Sequence, residues 1–243
     1  MKNKKAQVTI FIIIGIILIG AVIFAMFIKT TPDEGEKPIP ENFQPINNFI
    51  EDCVQETSEN SVLEIGYKGG ISFDMELPRL GDFYYFYKGQ GNLITKETIE
   101  NEISKEIKKT FYRCARSFED FPDFLIEEGS MEVQSRIEDE NVLVKVKYPV
   151  TITKDEKTIL IEDFNANVPV RLGIIYNVLT EINQEQLKNP EAICINCLNE
   201  FAEKSDLYIE FYDFDDEIVI FIIRDENSKI NNQDFQWRFG HIY

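Results

Sequence analysis

The sequence predicts an α+β domain of mainly antiparallel sheet with about four helices, joined to a single N-terminal transmembrane helix. Three observations lead there. An uncharged apolar run covers 10–28. Two later stretches keep the three-and-four spacing of amphipathic helices. The segments that read as strands alternate with period two and are joined by short acidic turns.

The apolar run sets the organisation: a basic leader over 1–7, a transmembrane helix over 8–28, an extracytoplasmic linker over 29–45 and an α+β ectodomain over 46–243. At about 1.5 Å per residue, Val8–Ile28 spans the roughly 30 Å hydrocarbon core of a bilayer. A secretory h-region is shorter and ends at a small-x-small site, whereas Ala21 and Ala25 lie inside this run with Met26, Phe27 and Ile28 still to come. Lys2, Lys4 and Lys5 precede the run and the first acidic residue is Asp33, so the N-terminus is expected in the cytoplasm and the bulk of the chain outside. The membrane is thus the first expected partner. The linker carries Pro32, Pro38, Pro40 and Pro45 among acidic residues and reads as a semi-extended spacer.

Lys5-Ala6-Gln7-Val8-Thr9 resembles the site at which archaeal prepilin peptidases cut class III signal peptides. Ala6, Gln7 and Thr9 match that pattern, which implies Ala6 and Gln7 as the processing site. The Glu that usually follows four residues after the Gln is Phe11 here, so an uncut signal anchor stands beside the processed form. Gln7-Val8-Thr9-Ile10-Phe11 before an isoleucine run also resembles uncharacterised archaeal membrane-anchored surface proteins. In those a helix bearing a Cys precedes a paired Gly, here Cys53 and Gly69-Gly70. Their C-termini are similar to Asp225-Glu226-Asn227-Ser228-Lys229-Ile230 leading into Phe235-Gln236-Trp237-Arg238-Phe239. The resemblance implies architecture and location, and no activity.

From Ile46 the chain reads as a helix, with Ile46, Phe49, Ile50, Cys53, Val54, Val62 and Ile65 in helical register, Pro45 in the first turn and Gly66 near the end. Phe83–Tyr87 reads as a strand or an aromatic loop. A second helix starts at a Thr95 cap, with Ile99, Ile103, Ile107, Cys114 and Phe118 on one stripe and Lys105, Lys108, Lys109 and Arg113 on a solvated face. Val142–Ile152 alternates over eleven residues and pairs with Met131–Ile137 across Asp139-Glu140-Asn141. Lys157–Ile161 completes a meander. Leu172–Leu187 reads as a helix, and Asn189-Pro190 as the cap of another running to Lys204. Leu207–Phe214 and Glu217–Ile223 form a hairpin around Asp215-Asp216, and Phe235, Trp237 and Phe239 suggest a last strand.

Apolar residues make up 44% of the chain, and 19 Phe and 10 Tyr supply a core. A net charge of −18 excludes nucleic acid as a partner, since phosphates need Lys and Arg. It favours solubility and a cationic partner or ion-rich surroundings; a protein partner or self-assembly at the cell surface is expected from the surface role, not from the charge. His241, the only histidine, stands third from the end of the sequence and reads as an exposed tail residue. One histidine there excludes a Ser-His-Asp triad, an ordinary Cys-His pair and a His-rich zinc site unless the tail folds into a site. There is no phosphate loop and no HExxH, and no cofactor or metal is expected.

The cysteines are Cys53, Cys114, Cys194 and Cys197. Outside the membrane four cysteines favour disulfides. Cys53 and Cys114 each lie on the apolar stripe of a helix, so packing those helices brings the sulfurs together. The favoured pairing is Cys53–Cys114 with Cys194–Cys197; two other connectivities and unpaired thiols are the alternatives. Cys194-Ile195-Asn196-Cys197 also has the spacing of a redox pair. Such a pair needs its first thiol at a helix N-terminus, where the dipole lowers the thiol pKa. With Pro190 as the first helical residue, Cys194 lies a turn inside the helix, between Glu191 and Glu200, which raise a thiol pKa. A four-cysteine zinc site wants two CxxC pairs and one is missing. Asp213, Asp215, Asp216 and Glu217 lack the spacing of a calcium loop and read as a charged turn, as do Asp225, Glu226 and Asn227. The expected function is a non-enzymatic membrane-anchored surface protein with a structural, adhesive, assembly or pilin-like role. The alternative is an extracytoplasmic thiol–disulfide oxidoreductase using Cys194 and Cys197.

Overall fold

The computed structural model describes residues 39–72 and 84–243. The stretches expected to form the leader, the transmembrane helix and the Ala6–Gln7 processing site, most of the expected linker, and Phe83 lie outside the described residues. Among those described, no helix is long and apolar enough to cross a membrane.

The unit Glu41–Tyr243 is α+β, with four α-helices and two mainly antiparallel sheets. Helix α1 (Gln44–Tyr67) begins with Pro45 in its first turn and buries Ile46, Ile50, Cys53, Val54, Val62 and Ile65 along one stripe. It ends where the Gly70 amide donates to Ile65 O at 2.8 Å, with Gly69 at φ 65° and Gly70 at φ 93°. A side chain at Gly70 would also strike Ile94 and Trp237, so the paired glycine is required by backbone and space alike. Strands β1 (Tyr84–Tyr87) and β2 (Gln90–Gly91) form a tight hairpin. Tyr85 and Phe86 are buried, so this aromatic segment is core strand.

Helix α2 (Lys96–Ala115) is capped by Thr95, whose Oγ1 accepts from the Thr98 amide at 3.1 Å. It buries Ile99, Ile103, Ile107 and Phe111, with Lys105, Lys108, Lys109 and Arg113 on the exposed face. Arg116 at φ 42° closes it in the left-handed region. Strands β3 (Leu125–Glu128), β4 (Glu132–Ile137), β5 (Val142–Lys154) and β6 (Lys157–Val168) make one sheet. Both β3 and β4 pair with β5, and β6 takes its other side. Val142, Val144, Val146, Tyr148, Val150 and Ile152 of β5 are buried in strict alternation. The register against β6 shifts between Lys147 and Val150, where Pro149 has no amide to give the ladder. The sequence under-read this sheet: β6 continues to Val168, and β3 carries too little alternation to stand out.

Helices α3 (Leu172–Lys188) and α4 (Ile195–Ser205) precede strands β7 (Tyr208–Asp213), β8 (Ile218–Ile230) and β9 (Gln233–Ile242). The second sheet has the order β2-β1-β9-β8-β7, and only β1 and β9 run parallel. Helix α1 packs on α2, on β6 and on β9, so one helix serves both sheets. Gly66 permits this: a Cβ there would come within 2.6 Å of the Gln236 carbonyl. Under α1 the Trp237 indole donates to Tyr85 Oη at 3.2 Å, and that hydroxyl donates to Gly69 O at 3.0 Å.

Two sequence expectations change here. Asp225, Glu226 and Asn227 form no charged turn. They lie within β8 at a register irregularity between Asp225 and Lys229, and the chain reverses at Asn231-Asn232 instead, both at positive φ. His241 is not an exposed tail residue. It is fully buried in β9 opposite Val219, because β9, with the buried Phe235, Trp237 and Phe239, runs through the middle of the sheet.

Candidate functional site

Among the described residues, Cys194 and Cys197 meet Glu185 in a cluster of ligand-type atoms within 4.8 Å of one another. Asn189 and Pro190 stop α3 instead of starting α4, since proline after a C-cap cannot continue a helix. A five-residue link through Ile193 follows, and α4 begins only at Ile195. Cys194 is therefore the N-cap, not a residue one turn inside. Its carbonyl accepts from the Leu198 amide at 3.1 Å, and its Sγ accepts from the Cys197 amide at 3.3 Å. The sulfur fills the role a Ser or Asp oxygen usually takes. The expectation failed because Asn-Pro fits the end of one helix as well as the start of the next.

Cys194 and Cys197 form a disulfide, with Cα atoms 5.3 Å apart, and both are half-buried. A carboxylate oxygen of Glu185 lies within 4.8 Å of both sulfurs. Glu185 is itself held by Lys188 Nζ at 2.7 Å and Asn189 Nδ2 at 3.2 Å. With the sulfurs joined, this trio offers a metal no thiolate. The positive end of α4 favours a Cys194 thiolate after reduction, and the Glu185 charge opposes it.

A polar chain supports the motif from behind. Gln186 Nε2 donates to Asn189 O at 2.9 Å and Ala192 O at 3.3 Å, fixing the link between α3 and α4. Tyr243 Oη donates to Gln186 Oε1 at 2.8 Å and lies 3.5 Å from His241 Nδ1. The imidazole sits among Phe86, Phe221 and Phe239, and its Nε2 has no partner among the described residues. Burial pushes its pKa down to about 3, so the ring is neutral at ordinary pH. The cavity beside the sulfurs, lined by Ile182, Leu198, Phe201 and Phe221, holds about 10 Å³. That is about one water, so any partner of the disulfide meets it at the surface.

Cys53 and Cys114 pair across α1 and α2, with S–S 2.03 Å and Cα atoms 5.6 Å apart. Cys53 is buried and Cys114 half-buried beside Glu56, whose carboxylate is 4.0 Å from the sulfur. A polar groove of about 380 Å³ opens above it, lined by Glu56, Asn60, Glu64, Glu106, Thr110 and Arg113. At the β7–β8 turn, Asp215 Oδ1 accepts from the Glu217 and Ile218 amides at 2.9 Å each, so this carboxylate shapes the hairpin. Asp213, Asp216 and Glu217 belong to no metal-sized cluster among the described residues. The basic face of α2 is partly paired within the helix, Lys105 with Glu102 and Lys109 with Glu106.

Sequence reasoning missed Arg171. Its guanidinium is bound to the buried Asp225 and to the Asp206 carbonyl, tying the start of α3 to β8 and the end of α4. One arginine among many charges carries no pattern to find. No protein-family model, curated protein or solved structure matches this chain.

Proposed function

We propose that the chain is a membrane-anchored, non-enzymatic extracytoplasmic surface protein with a structural, adhesive or assembly role. The observation that carries this reading is the pairing of all four cysteines, in a domain that follows the uncharged run Ile10–Ile28. Structural disulfides persist in oxidising surroundings and are rare in reducing ones. The run has the length of a membrane span and the lysines before it orient the domain outward. The pilin-like form of this role rests on Ala6-Gln7 alone. Intact-mass analysis of the chain from its native membrane, with external protease treatment of whole cells, tests it. The expected result is a membrane-bound, disulfide-oxidised chain cut only from outside, starting at Gln7 if processed and retaining Lys2 if uncut. A chain recovered from the cytosol with four free thiols overturns the proposal.

A second reading has its own support. Cys194 as N-cap of α4 meets the positional requirement of a redox CxxC. In thiol–disulfide exchange, a thiolate of a partner dithiol attacks one sulfur, the other leaves as thiolate, and a second exchange releases the partner oxidised and this pair as two thiols. Equilibration against glutathione buffers followed by alkylation and mass analysis tests it. A Cys194–Cys197 pair that opens at mild potentials supports it, and one that stays closed in millimolar reduced glutathione sinks it.

A further inference from the structure

We propose that β7 is a docking strand for an extended, lysine- or arginine-bearing segment of another protein, added to the sheet as a strand beyond β7. This gives the assembly reading its partner chemistry and rests on that reading for its setting. Exposed edges present unpaired N–H and C=O groups, and folded proteins shorten, cover or guard them with Lys or Pro. The other edges here follow that rule. The β4 edge is covered by α2: Ser104 Oγ accepts from the Ser135 amide at 2.9 Å and Glu100 Oε1 from the Ile137 amide at 2.8 Å. The β6 edge is met by α1, where Gln55 takes the Asn167 amide and gives to its carbonyl. The strands β2 and β3 are short, at two and four residues.

Strand β7 has six residues, ends the order β2-β1-β9-β8-β7 with β8 as its one strand partner among the described residues, and is exposed at every position but the half-buried Ile209. It has no guard either: no Lys, Arg or Pro occurs from Ser205 to Ile223. Instead Tyr208, Phe211, Tyr212 and the following Phe214 are 37–49% exposed. Such aromatic exposure along an open edge marks contact surfaces. Strand periodicity sets Tyr208, Glu210 and Tyr212 on one face, an alternation of ring, carboxylate and ring. Asp213 and the turn residues Asp216 and Glu217 add exposed negative charge at the end of the strand. The rings already hold a cation in one place: the Arg224 guanidinium lies 4.7 Å from the Tyr208 centroid. Main-chain pairing with a basic segment would satisfy the edge, its cationic side chains on the one face would meet Glu210, and their stems would lie on Tyr208 and Tyr212. The same acidic charge disfavours a second copy of β7, since like charges would face each other.

The test uses the full chain in detergent micelles and two short synthetic peptides, one alternating lysine with valine and the other glutamate with valine. The lysine peptide is expected to bind and to slow hydrogen exchange at the amides of β7, and the glutamate peptide to do neither. Glu210→Lys and Tyr212→Ser should each weaken binding about tenfold. Glu119→Lys, an equal charge change at an exposed position off the strand, should leave it unchanged. Equal binding of both peptides, absence of β7 protection, or equal loss from Glu119→Lys overturns the proposal. So does self-association of the peptide-free chain with β7 protected, which would make a second copy the occupant. None of these outcomes depends on where the chain resides or begins, so this inference and the proposed function fail separately.

Discussion

The guanidinium of Arg171 grips the fully buried carboxylate of Asp225, with Nε donating to Oδ2 at 3.0 Å and Nη2 to Oδ1 at 2.5 Å. Ser228 Oγ and the Asn227 amide complete the shell around the acid. The contact raises the arginine pKa, because the neighbouring carboxylate holds its charge. Removing the arginine leaves the fully buried carboxylate without its countercharge, which costs about 3–5 kcal/mol; removing the acid costs less, because Arg171 is partly exposed and keeps the Asp206 carbonyl. Arg171→Ala is expected to lower stability by that order in urea unfolding, and Asp225→Ala by less. The double variant should cost clearly less than the sum, because the pair then disappears together. Additive losses would show that the two act independently.

His241 predicts a pH dependence. Its pKa is about 3 in the folded protein, lowered by burial, against about 6.5 in an unfolded chain. Between those values the unfolded state binds the proton and the folded state does not, so stability rises with pH. This histidine therefore costs nothing above about pH 6.5, and costs up to ~1.4 kcal/mol per pH unit as pH falls below it. His241→Leu should unfold with the same difference from wild type at pH 7 and pH 8. Between pH 6 and pH 4 the variant should gain on wild type steadily. A difference that stays flat across that range would place the imidazole in contact with water.

The Cys53–Cys114 bond closes a loop of 61 residues in sequence separation. In the chain-entropy account this limits the unfolded ensemble by about 4 kcal/mol. Cys53→Ala with Cys114→Ala should lose that order of stability, in part because Cys53 is fully packed. The half-buried Cys194–Cys197 bond closes a loop too short for comparable effect, so Cys194→Ser with Cys197→Ser should shift the urea midpoint far less.

How much of this was legible follows from what each residue's neighbours in sequence reveal. Helix α2 could be read from its start, since Thr95 caps it and Ile99, Ile103 and Ile107 repeat at its own period, but it ends at Ala115, short of the Phe118 that the stripe included. The alternation of β5 was equally plain. Asn189-Pro190 was ambiguous because proline both ends and begins helices, and that single misreading misplaced Cys194. Asp225 and His241 looked like surface residues by type. Their burial is decided by Arg171, 54 positions from Asp225, and by the aromatic rings of three strands. The open edge of β7 was invisible for a related reason: strand order is a long-range property, and an edge strand with acidic and aromatic residues reads like any hairpin arm.

The opposed charges at Cys194 make the last prediction. After reduction, the amide end of α4 stabilises a Cys194 thiolate while Glu185, within 4.8 Å, destabilises it. At that separation two unit charges interact by about 1 kcal/mol even at the dielectric of water. Lys188, 2.7 Å from Glu185, offsets part of that charge. Glu185→Gln should therefore lower the Cys194 thiol pKa and speed its alkylation at pH 7 several-fold, about fivefold for 1 kcal/mol. Lys188→Ala, which frees the carboxylate, should slow it. Alkylation rates followed by mass spectrometry over pH 5–9 give both pKa values directly. Opposite shifts from the two variants would establish that this acid tunes the sulfur. Shifts of the same sign would mean that both substitutions act by loosening the link from Asn189 to Ile193, and the charge argument would then be wrong.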